Sequence, residues 1–568
     1  MKTCVLDIEG NSLSEVHINK KGVAVPECSE IWCVATKVLG EPEPTIWEGQ
    51  NLKKLAVYLG QFDVLVGHNI YGYDFPMLQR LLKVRHPRCI VDTLIVSRLI
   101  YPDRQEHPLG GNALANWGEY LKFPKSDYQG GWDSCSEALC NYCLQDVLLG
   151  ERIYLTQLPF IKKTSSVVKF EHDVTRILQE QTENGFGYDL QAGTKLYQAL
   201  MLEKLDVEDK MRVIFPDKVH HRVSAKTGKP LKDKIEVFNP SSRQQIASRL
   251  HDKYGWVAPE TEKGNPQVDE EVLSKLKFDE AKVLVSSFET TKLISQIEDW
   301  NLRAEASRDG RIHGSINAQG AATGRCTHSQ PNIAQVSSDA RVRGLWCPAL
   351  TGYVQVGADL KGLELRMLAH YMAKYDGGKY GEVLVSGDIH THNQTAAGLG
   401  SRNQAKTFIY AYLYGASNVK LSKVLECSVG AADKVRRKFQ KEIPALGKVQ
   451  EVVKYQFLKS KSLELPDGRK IPCRKEHAAL NTLLQGAGAI VSKYWMKIAH
   501  DDLSAMFPSK VFQMAYIHDE LQYAVPKEIA DEVGSILQEA AIKAGKVLKL
   551  NIQIDADYTV GSDWSHTH

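Results

Sequence analysis

Hydrophobic and polar positions change period several times along this chain. The opening stretch CVLDIEG is a short apolar run, which is typical of a buried strand. Further apolar runs at residues 64–67 and 90–99 alternate with amphipathic helical patterns. Strands that alternate with helices indicate an α/β domain, and we place it at residues 1–160.

The next segments change from helical to basic. Residues 165–210 have helical spacing, as in EHDVTRILQEQTENG, and Gly185 predicts the end of one helix. Residues 210–234 then carry eight Lys or Arg against two acids, with Pro and Gly, which predicts a loop or the tip of a projecting segment. Such a loop is either a solvated segment or a phosphate-binding one, and the pattern favours neither.

Alternation returns after Arg311. YVQVGADL predicts a strand, GLELRMLAHYMAKY a helix, and a mainly helical block extends to about residue 500. The stretch VFQMAYIHDELQYAV predicts two strands joined tightly at His518 to Glu520.

The stretch RNQAKTFIYAYLYG combines charge with helical spacing. Arg402, Lys406, Tyr410 and Tyr414 recur every four residues, which places them on one face of a helix. Cations suit a triphosphate, and ring faces suit a sugar and base. The alternative is an amphipathic surface helix, which this stretch alone does not exclude.

Composition narrows the class of protein. The chain has 568 residues, 43% hydrophobic and 24% charged, which indicates a soluble protein of several domains. A net charge of +3 means that any polyanion-binding surface must be local. Eleven scattered cysteines, no signal sequence and no membrane-spanning run favour the cytoplasm. Cys140 and Cys143 form a lone CxxC, which favours free thiols over a zinc site.

Two sets of acidic residues are candidates for metal-dependent chemistry. Asp359 ends one predicted strand and Asp519 lies at the tip of the predicted hairpin, so both can project into a cleft. A second set begins with Asp7 and Glu9, although the D-x-E spacing also occurs at 206–208 and 269–271. Neighbouring carboxylates repel one another unless cations separate them, and magnesium prefers such oxygen ligands.

Several of these motifs, in this order, resemble a known family. DLKGLELR, the Arg402 helix and IHDE resemble motifs A, B and C of family A DNA polymerases, especially replicative enzymes of short-tailed bacteriophages. Further similar stretches are HGSINAQGAATGR, GDIHTHNQTAA, HAALNTLLQGAGA and EVFNPSSR. The resemblance implies an α+β multidomain fold: a right-hand polymerase with an antiparallel palm sheet, helical fingers and thumb, and an N-terminal RNase H-like exonuclease domain.

The resemblance implies roles for the polymerase residues. Asp359 and Asp519, with the carbonyl of Leu360, match ligands of two magnesium ions. Arg402, Lys406 and His390 match residues that contact the triphosphate. Lys406 also matches a general acid that donates a proton to pyrophosphate. Glu364 matches the gate against a ribose 2′-hydroxyl, Tyr410 the residue under the sugar, and Tyr414 the residue near the templating base.

Contacts to DNA are implied for a further group. Arg325 and Gln485 match residues that reach the minor groove, where every correct pair offers acceptors. His477, Asn481 and Gln485 recur every four residues, which predicts one helical face. His518 lies near the primer end. Lys361 departs from the family pattern, and it either lowers the pKa of Asp359 or points to solvent.

The N-terminal acidic set resembles a DEDDy 3′–5′ exonuclease. Asp7 and Glu9, Asp74 in NIYGYD, and Tyr142 and Asp146 in YCLQD match its three motifs. Four carboxylates would hold two magnesium ions, and Tyr142 would orient the attacking water. The alternative is a degenerate, purely structural domain.

Domain boundaries and partners follow from the same resemblance. The exonuclease domain covers 1–160, the thumb and connecting helices 165–310, the palm 311–395 with 490–568, and the fingers 396–489. Expected partners are primer–template DNA, deoxynucleoside triphosphates and a replicative helicase or primase, with the chain a monomer. Thioredoxin is not expected, because the segment at 210–236 is much shorter than in relatives that bind it.

Alternatives of other classes are a nuclease with a DNA-binding C-terminal region, a non-catalytic scaffold and an RNA polymerase. The triphosphate residues disfavour the first two. Glu364 and the exonuclease motifs favour deoxynucleotides over ribonucleotides.

Overall fold

The structure, a computed structural model, describes residues 1–13, 16–18, 23–25, 27–103, 107–261 and 263–568. It divides into two units, Met1–Tyr188 with Arg311–His568, and Asp189–Gly310. The division begins the second unit at Asp189, whereas the sequence-based thumb began at residue 165.

The N-terminal part of the first unit is an α/β domain. Its elements are β1 Thr3–Gly10, β2 His17–Ile18, β3 Ala24–Val25, β4 Ile31–Val38, β5 Thr45–Glu48, α1 Leu52–Leu59, β6 Val64–Gly67, α2 Asp74–Leu82, β7 Cys89–Asp92, α3 Thr93–Ile100, α4 Leu114–Tyr120 and α5 Glu137–Lys163. The sheet order is β5-β4-β1-β6-β7, antiparallel from β5 to β1 and parallel from β1 to β7. This is the expected RNase H-like arrangement.

Packing in this domain brings helix α5 against the central strand β1. Val5 of β1, Cys33 of β4 and Val147 of α5 belong to one buried cluster. This packing places Asp7 and Glu9 of β1 beside Asp146 of α5.

Helix α6 and strand β8 connect the two halves of the first unit. They span Ser165–Asn184 and Phe186–Tyr188. The helix ends at Gly185, whose φ of +65° suits glycine, so the predicted stop is confirmed.

The second unit is mainly helical. It contains α7 Leu190–Ile214, β9 Lys218–Val223, β10 Pro230–Glu236, α8 Arg243–Tyr254, α9 Glu270–Leu273 and α10 Asp279–Ala306. Strands β9 and β10 form an antiparallel hairpin, so the predicted loop or tip is right for the turn at 224–229 and wrong for the two strands. Within the two strands, Val219, Val223, Leu231 and Ile235 are too widely spaced to show a strand pattern, and cross-strand backbone pairing decided the conformation.

The remainder of the first unit contains the other elements. They are β11 Arg311–Ile312, β12 Ser315–Asn317, β13 Thr327–Ser329, α11 Ala340–Arg343, β14 Trp346–Cys347, β15 Tyr353–Leu360, α12 Leu363–Asp376, α13 Lys379–Ser386, α14 Ile389–Ala397, α15 Arg402–Leu413, α16 Asn418–Val424, α17 Val429–Glu442, α18 Pro444–Ser460, β16 Ser462–Glu464, β17 Lys470–Pro472, α19 Ala479–Met506, β18 Phe512–Ile517, β19 Glu520–Pro526, α20 Ala530–Val547 and β20 Ala556–Gly561.

A four-stranded antiparallel sheet organises this part, in the order β18-β19-β15-β20. The predicted strand at 353–360, helix at 402–413 and hairpin at 512–526 are confirmed. One large apolar core joins the sheet to the helices beside it. Among the described residues, no helix has both the length and the apolar character that crossing a membrane requires.

Candidate active sites

The first candidate site lies at one edge of the antiparallel sheet. Asp359 is near the end of β15, and Asp519 occupies the turn between β18 and β19. The N–H of Leu360 donates to the carbonyl oxygen of Asp519 at 3.0 Å. His518 has a φ of +59°, and Ser492 of α19 donates a hydrogen bond to its carbonyl oxygen. These bonds hold the turn against the end of β15.

The two carboxyl groups influence each other at this edge. Burial, followed by the charge of Asp519, raises the pKa of Asp359 to about 7. Burial, followed by the charge of Glu364, raises the pKa of Asp519 to about 6. A divalent cation would relieve this repulsion, so the carboxylate oxygens fit magnesium chemically.

Lys361 does not act on Asp359. Its ammonium group pairs with Asp555 at 3.0 Å and with Asp557 at 2.7 Å. The pKa of Asp359 is raised, not lowered. The first alternative from the sequence was therefore wrong, whereas the side chain does stay at the surface, 38% exposed, where Asp555 and Asp557 attract it.

Helix α15 presents the expected cationic and aromatic face. Ser401 caps it by accepting from the N–H of Gln404 at 3.2 Å. Arg402 and Lys406 are exposed, whereas Ala405, Phe408, Ile409, Tyr412 and Leu413 form the buried face. Tyr414 is the residue that follows the last helical one and remains exposed.

His390 joins the cationic end of α15. Burial, followed by the charge of Arg402, lowers its pKa, and Lys406 contributes in the same direction. Among the described residues, its Nδ1 atom is buried without a hydrogen-bond partner. Arg402 itself pairs with Asp388 at 2.7 Å. Sequence reasoning missed Asp388, although its capping position before α14 was a readable signal.

Glu364 lies at the aromatic end of this face. Its carboxylate pairs with Arg325 at 3.3 Å, and burial followed by the charge of Glu364 raises the pKa of Tyr414. Burial, followed by the charge of Glu364, raises the pKa of Tyr410. The structure thus brings the sugar-side and template-side candidates together with Arg325.

The second candidate site lies between β1, α2 and α5. Ligand oxygens of Asp7, Glu9 and Asp146 lie within 4.8 Å of one another. Asp74 is close by, because its Oδ1 accepts from the N–H of Ile8 at 3.1 Å. A cavity of about 820 Å³ opens onto these acids and onto Tyr142.

Proton affinity at this site is unusually high. Burial, followed by the charge of Asp146, raises the pKa of Glu9 to about 8. Burial raises the pKa of Asp74 to about 7, and burial with the charge of Asp74 raises that of Asp7. The four carboxyl groups fit a cation cluster, since clustered buried acids need compensating charge.

Lys125 is a member of this site that the sequence did not reveal. Its Nζ pairs with Asp146 at 2.6 Å and lies 4.6 Å from the ring centroid of Tyr142. Although burial alone would lower the pKa of Lys125, the charge of Asp146 raises it. A single lysine in a loop carries no motif that could have identified it.

Comparison with known proteins decides the family. The sequence model of DNA polymerase family A matches residues 217–566. The chain belongs to DNA polymerase family A. Membership makes it a DNA-directed DNA polymerase.

Relatives cover almost the whole polymerase. The DNA-directed DNA polymerase of Escherichia phage T7 is 29% identical over 99% of this chain and 100% of its own. That of Enterobacteria phage T3 is 29% identical over 92% and 94%. DNA polymerase I of Aquifex aeolicus is 24% identical over 93% of each chain.

A solved structure shares the polymerase's fold. It is the POL domain of Pol1 from M. smegmatis in complex with DNA primer-template and dNTP. The TM-score is 0.78 at 17% identity, covering 99% of this polymerase and 95% of that chain.

The remaining DNA-facing candidates of the polymerase lie around α19. Asn481 and Gln485 are half-buried on its first two turns. His477 is exposed in a 3-10 turn before α19, so the single α-helical face predicted for all three was wrong. The tighter turn at 476–478 shifts His477 out of register with the other two.

A buried histidine near the first site was also missed. His328 of β13 has both ring nitrogens buried without a hydrogen-bond partner among the described residues. Burial, followed by the charge of His518, lowers the pKa of His328 to about 4. No sequence signal separated it from an ordinary core residue.

Proposed function

We propose that this polymerase extends a DNA primer on a DNA template in the 5′–3′ direction and edits 3′ ends in a separate exonuclease site. The main support for DNA synthesis is that a backbone hydrogen bond from Leu360 to Asp519 brings Asp359 and Asp519 to one edge of the sheet, beside helix α15. The phage and bacterial relatives support replication as the setting and a host cytoplasm as the place.

We further propose two Mg²⁺ ions at the first site, held by Asp359, Asp519 and the carbonyl oxygen of Leu360. Bound there, magnesium would activate the primer 3′-hydroxyl and neutralise the leaving pyrophosphate. The raised pKa values of the two aspartates support this, because protonation and metal binding compensate the same buried negative charge.

Helix α15 and His390 would hold the triphosphate. Arg402 would exchange its bond with Asp388 for phosphate oxygens, which Arg binds well in bidentate fashion. Lys406 is exposed and would donate a proton to the leaving pyrophosphate. His390 Nδ1, buried without a partner among the described residues, would bind a phosphate oxygen.

The nucleotide's sugar and base would lie at the aromatic end of α15. Tyr410 would lie under the sugar, and Glu364 would exclude a ribose 2′-hydroxyl. Tyr414 would face the templating base from its exposed position. The interactions of Glu364 with Arg325 and Tyr414 support this placement, because they hold the carboxylate beside the aromatic residues.

DNA contacts would extend from this pocket along the primer–template. Arg325 and Gln485 would donate to minor-groove acceptors that every correct base pair offers, so they test pairing without reading sequence. His518 would lie near the primer end, and Asn481 and His477 would contact the DNA nearby. We propose that the polymerase acts as a monomer, together with a replicative helicase or primase and without thioredoxin.

The second site would remove mispaired 3′ ends with two further Mg²⁺ ions. Asp7, Glu9, Asp74 and Asp146 would hold the metals, and Tyr142 would orient water. Their clustering supports activity over a degenerate domain, because an inactive site has no need of repelling buried acids. A mismatch slows extension and gives the second site time to act.

The test is a primer assay with magnesium. A 5′-labelled primer on a longer DNA template is incubated with all four deoxynucleotides, and in parallel without them. We expect full-length product in the first reaction and shortening in the second. Shortening in both reactions would leave a nuclease alone, and an unshortened primer without nucleotides would remove the editing proposal.

A further inference from the structure

A cluster of sulfur ligands lies next to the exonuclease carboxylates. Cys33 of β4 and Glu48 of β5 are directly paired across two antiparallel strands, so their side chains share one face of the sheet. Cys140, in the first turns of α5, and Cys135, just before α5, meet them on that face. Neighbouring thiols, Cys143 first and then Cys140 and Cys135, lower the pKa of Cys33.

Distances among Cys135, Cys140 and Glu48 match three corners of a tetrahedral metal site. The Sγ atoms of Cys135 and Cys140 are 3.6 Å apart. Each lies near Glu48 Oε2, at 3.5 Å and 3.4 Å. Zinc–sulfur bonds of about 2.3 Å and zinc–oxygen bonds of about 2.0 Å at tetrahedral angles require separations of about 3.8 Å and about 3.5 Å.

Burial and exposure also suit a metal centre that zinc can reach. Cys33 and Cys140 are buried, whereas Glu48 and Cys135 are exposed. The two buried cysteines are held in place by the protein core, and the ion can reach the site from solvent past Glu48 and Cys135. The lone CxxC at 140–143 gave no sign of this, because the other ligands come from residues 33, 48 and 135.

We propose that Cys135, Cys140 and Glu48, whose ligand atoms lie within 4.8 Å of one another, hold a structural Zn²⁺ ion, and that Cys33, opposite Glu48 in the sheet, closes the fourth position. Four protein ligands leave no open position, which is the arrangement of structural zinc and not of catalytic zinc. The ion would fasten the start of α5 to β4 and β5. That helix carries Tyr142 and Asp146, so the zinc would hold the exonuclease residues in place without taking part in their chemistry.

Cys143 separates this site from the carboxylates. Its Sγ donates to the carbonyl oxygen of Asp7 at 3.3 Å and lies 3.5 Å from Asp7 Oδ2. We therefore leave Cys143 outside the ligand set. The zinc proposal does not depend on exonuclease activity, and it is tested by metal content and spectroscopy.

The experiment uses the full chain, reduced, stripped of metal and reloaded with Zn²⁺ or Co²⁺. We expect one tightly bound zinc per chain, and a cobalt form with thiolate-to-metal charge transfer and tetrahedral d–d bands. Cys135→Ser and Cys140→Ser should weaken zinc binding by more than the about 10- to 100-fold typical of an outer-shell change. Cys89→Ser, which alters another exposed cysteine, is the matched control and should bind as wild type.

A second variant separates this site from the carboxylate cluster. Asp146→Asn should leave the cobalt–thiolate band intact, because a carboxylate site gives no such band. Reduced wild-type protein without a cobalt–thiolate band would overturn the proposal. So would reduced protein that binds no zinc and forms a Cys135–Cys140 disulfide in air, which would make the pair a redox couple instead.

Discussion

The N–H of Leu360 donates to the carbonyl oxygen of Asp519 at 3.0 Å, across 159 positions of sequence. This one bond joins the end of a strand to the tip of a hairpin, and it places the carboxyl groups of Asp359 and Asp519 at the same edge. There burial with the charge of Asp519 makes Asp359 harder to ionise, and burial with the charge of Glu364 does the same for Asp519.

Magnesium dependence should therefore change with pH. The pKa values of Asp359 and Asp519 are raised to about 7 and about 6, so protons compete with metal below neutrality. We expect the half-saturating magnesium concentration for synthesis to be at least about tenfold higher at about pH 5.5 than at about pH 8. Magnesium titrations of primer extension at both pH values measure it, and equal values would contradict the prediction.

Substitutions should separate the two activities. Asp359→Asn or Asp519→Asn should abolish synthesis and spare 3′–5′ degradation, whereas Asp7→Asn should do the reverse. The reason is that each carboxylate belongs to only one of the two clusters. Asp531→Asn, on the exposed side of α20, is the control and should retain both activities. Loss of both activities in one site variant would argue against separate sites.

Tyr410 should determine the use of dideoxynucleotides. Its hydroxyl would replace the missing 3′-hydroxyl of the nucleotide, so the wild type should accept dideoxynucleotides readily. Tyr410→Phe removes this bond and should raise discrimination by about 10- to 100-fold. Relative incorporation of matched deoxy- and dideoxynucleotides measures the effect. Strong discrimination by the wild type, unchanged in the variant, would refute it.

Lys125 should support the exonuclease through Asp146. Burial raises the pKa of Asp146, and the Lys125 charge opposes the rise, so Lys125→Met should leave Asp146 more protonated at neutral pH. We expect degradation to fall about 10- to 100-fold, with partial recovery at higher pH and unchanged synthesis. Lys122→Met, in the same loop and exposed, is the control. A loss that does not depend on pH would exclude this mechanism.

Glu171 should be essential for stability. It pairs with Lys493 at 2.9 Å and with Arg469, and both Glu171 and Lys493 are fully buried. Glu171→Gln leaves buried cations without their partner and should lower the free energy of unfolding by about 3 to 5 kcal/mol. Glu451→Gln, in an exposed pair with Lys448, should cost at most about 1 kcal/mol. Denaturant unfolding compares the two.

The stability that the Glu171 ion pairs contribute should depend on pH. Burial alone would raise the pKa of Glu171, but Lys493 and Arg469 lower it to about 2. The folded-state pKa is below the ordinary value of 4.5, so this stabilisation is complete above about pH 4.5 and is lost as pH falls toward 2. Unfolding of Glu171→Gln should lack this acid-dependent part, and identical acid profiles would contradict the assignment.

The local elements and the residues that bear the family's motifs were predictable from the amino-acid sequence. Strand β15, helix α15 and the hairpin around Asp519 were readable because side-chain period and turn residues act within a few positions. The cationic spacing of Arg402 and Lys406 was equally local, and so was the end of α6 at Gly185.

Which distant residues meet became known from the folded chain alone. Lys125 contacts Asp146, Lys361 pairs with Asp555, and Cys135 meets Glu48, because strand register and helix packing bring them together. The hairpin at 218–236 depended on cross-strand pairing, which no single strand displays. Contacts of this kind depend on backbone pairing and burial between segments far apart in the sequence, and the local pattern of residues shows neither.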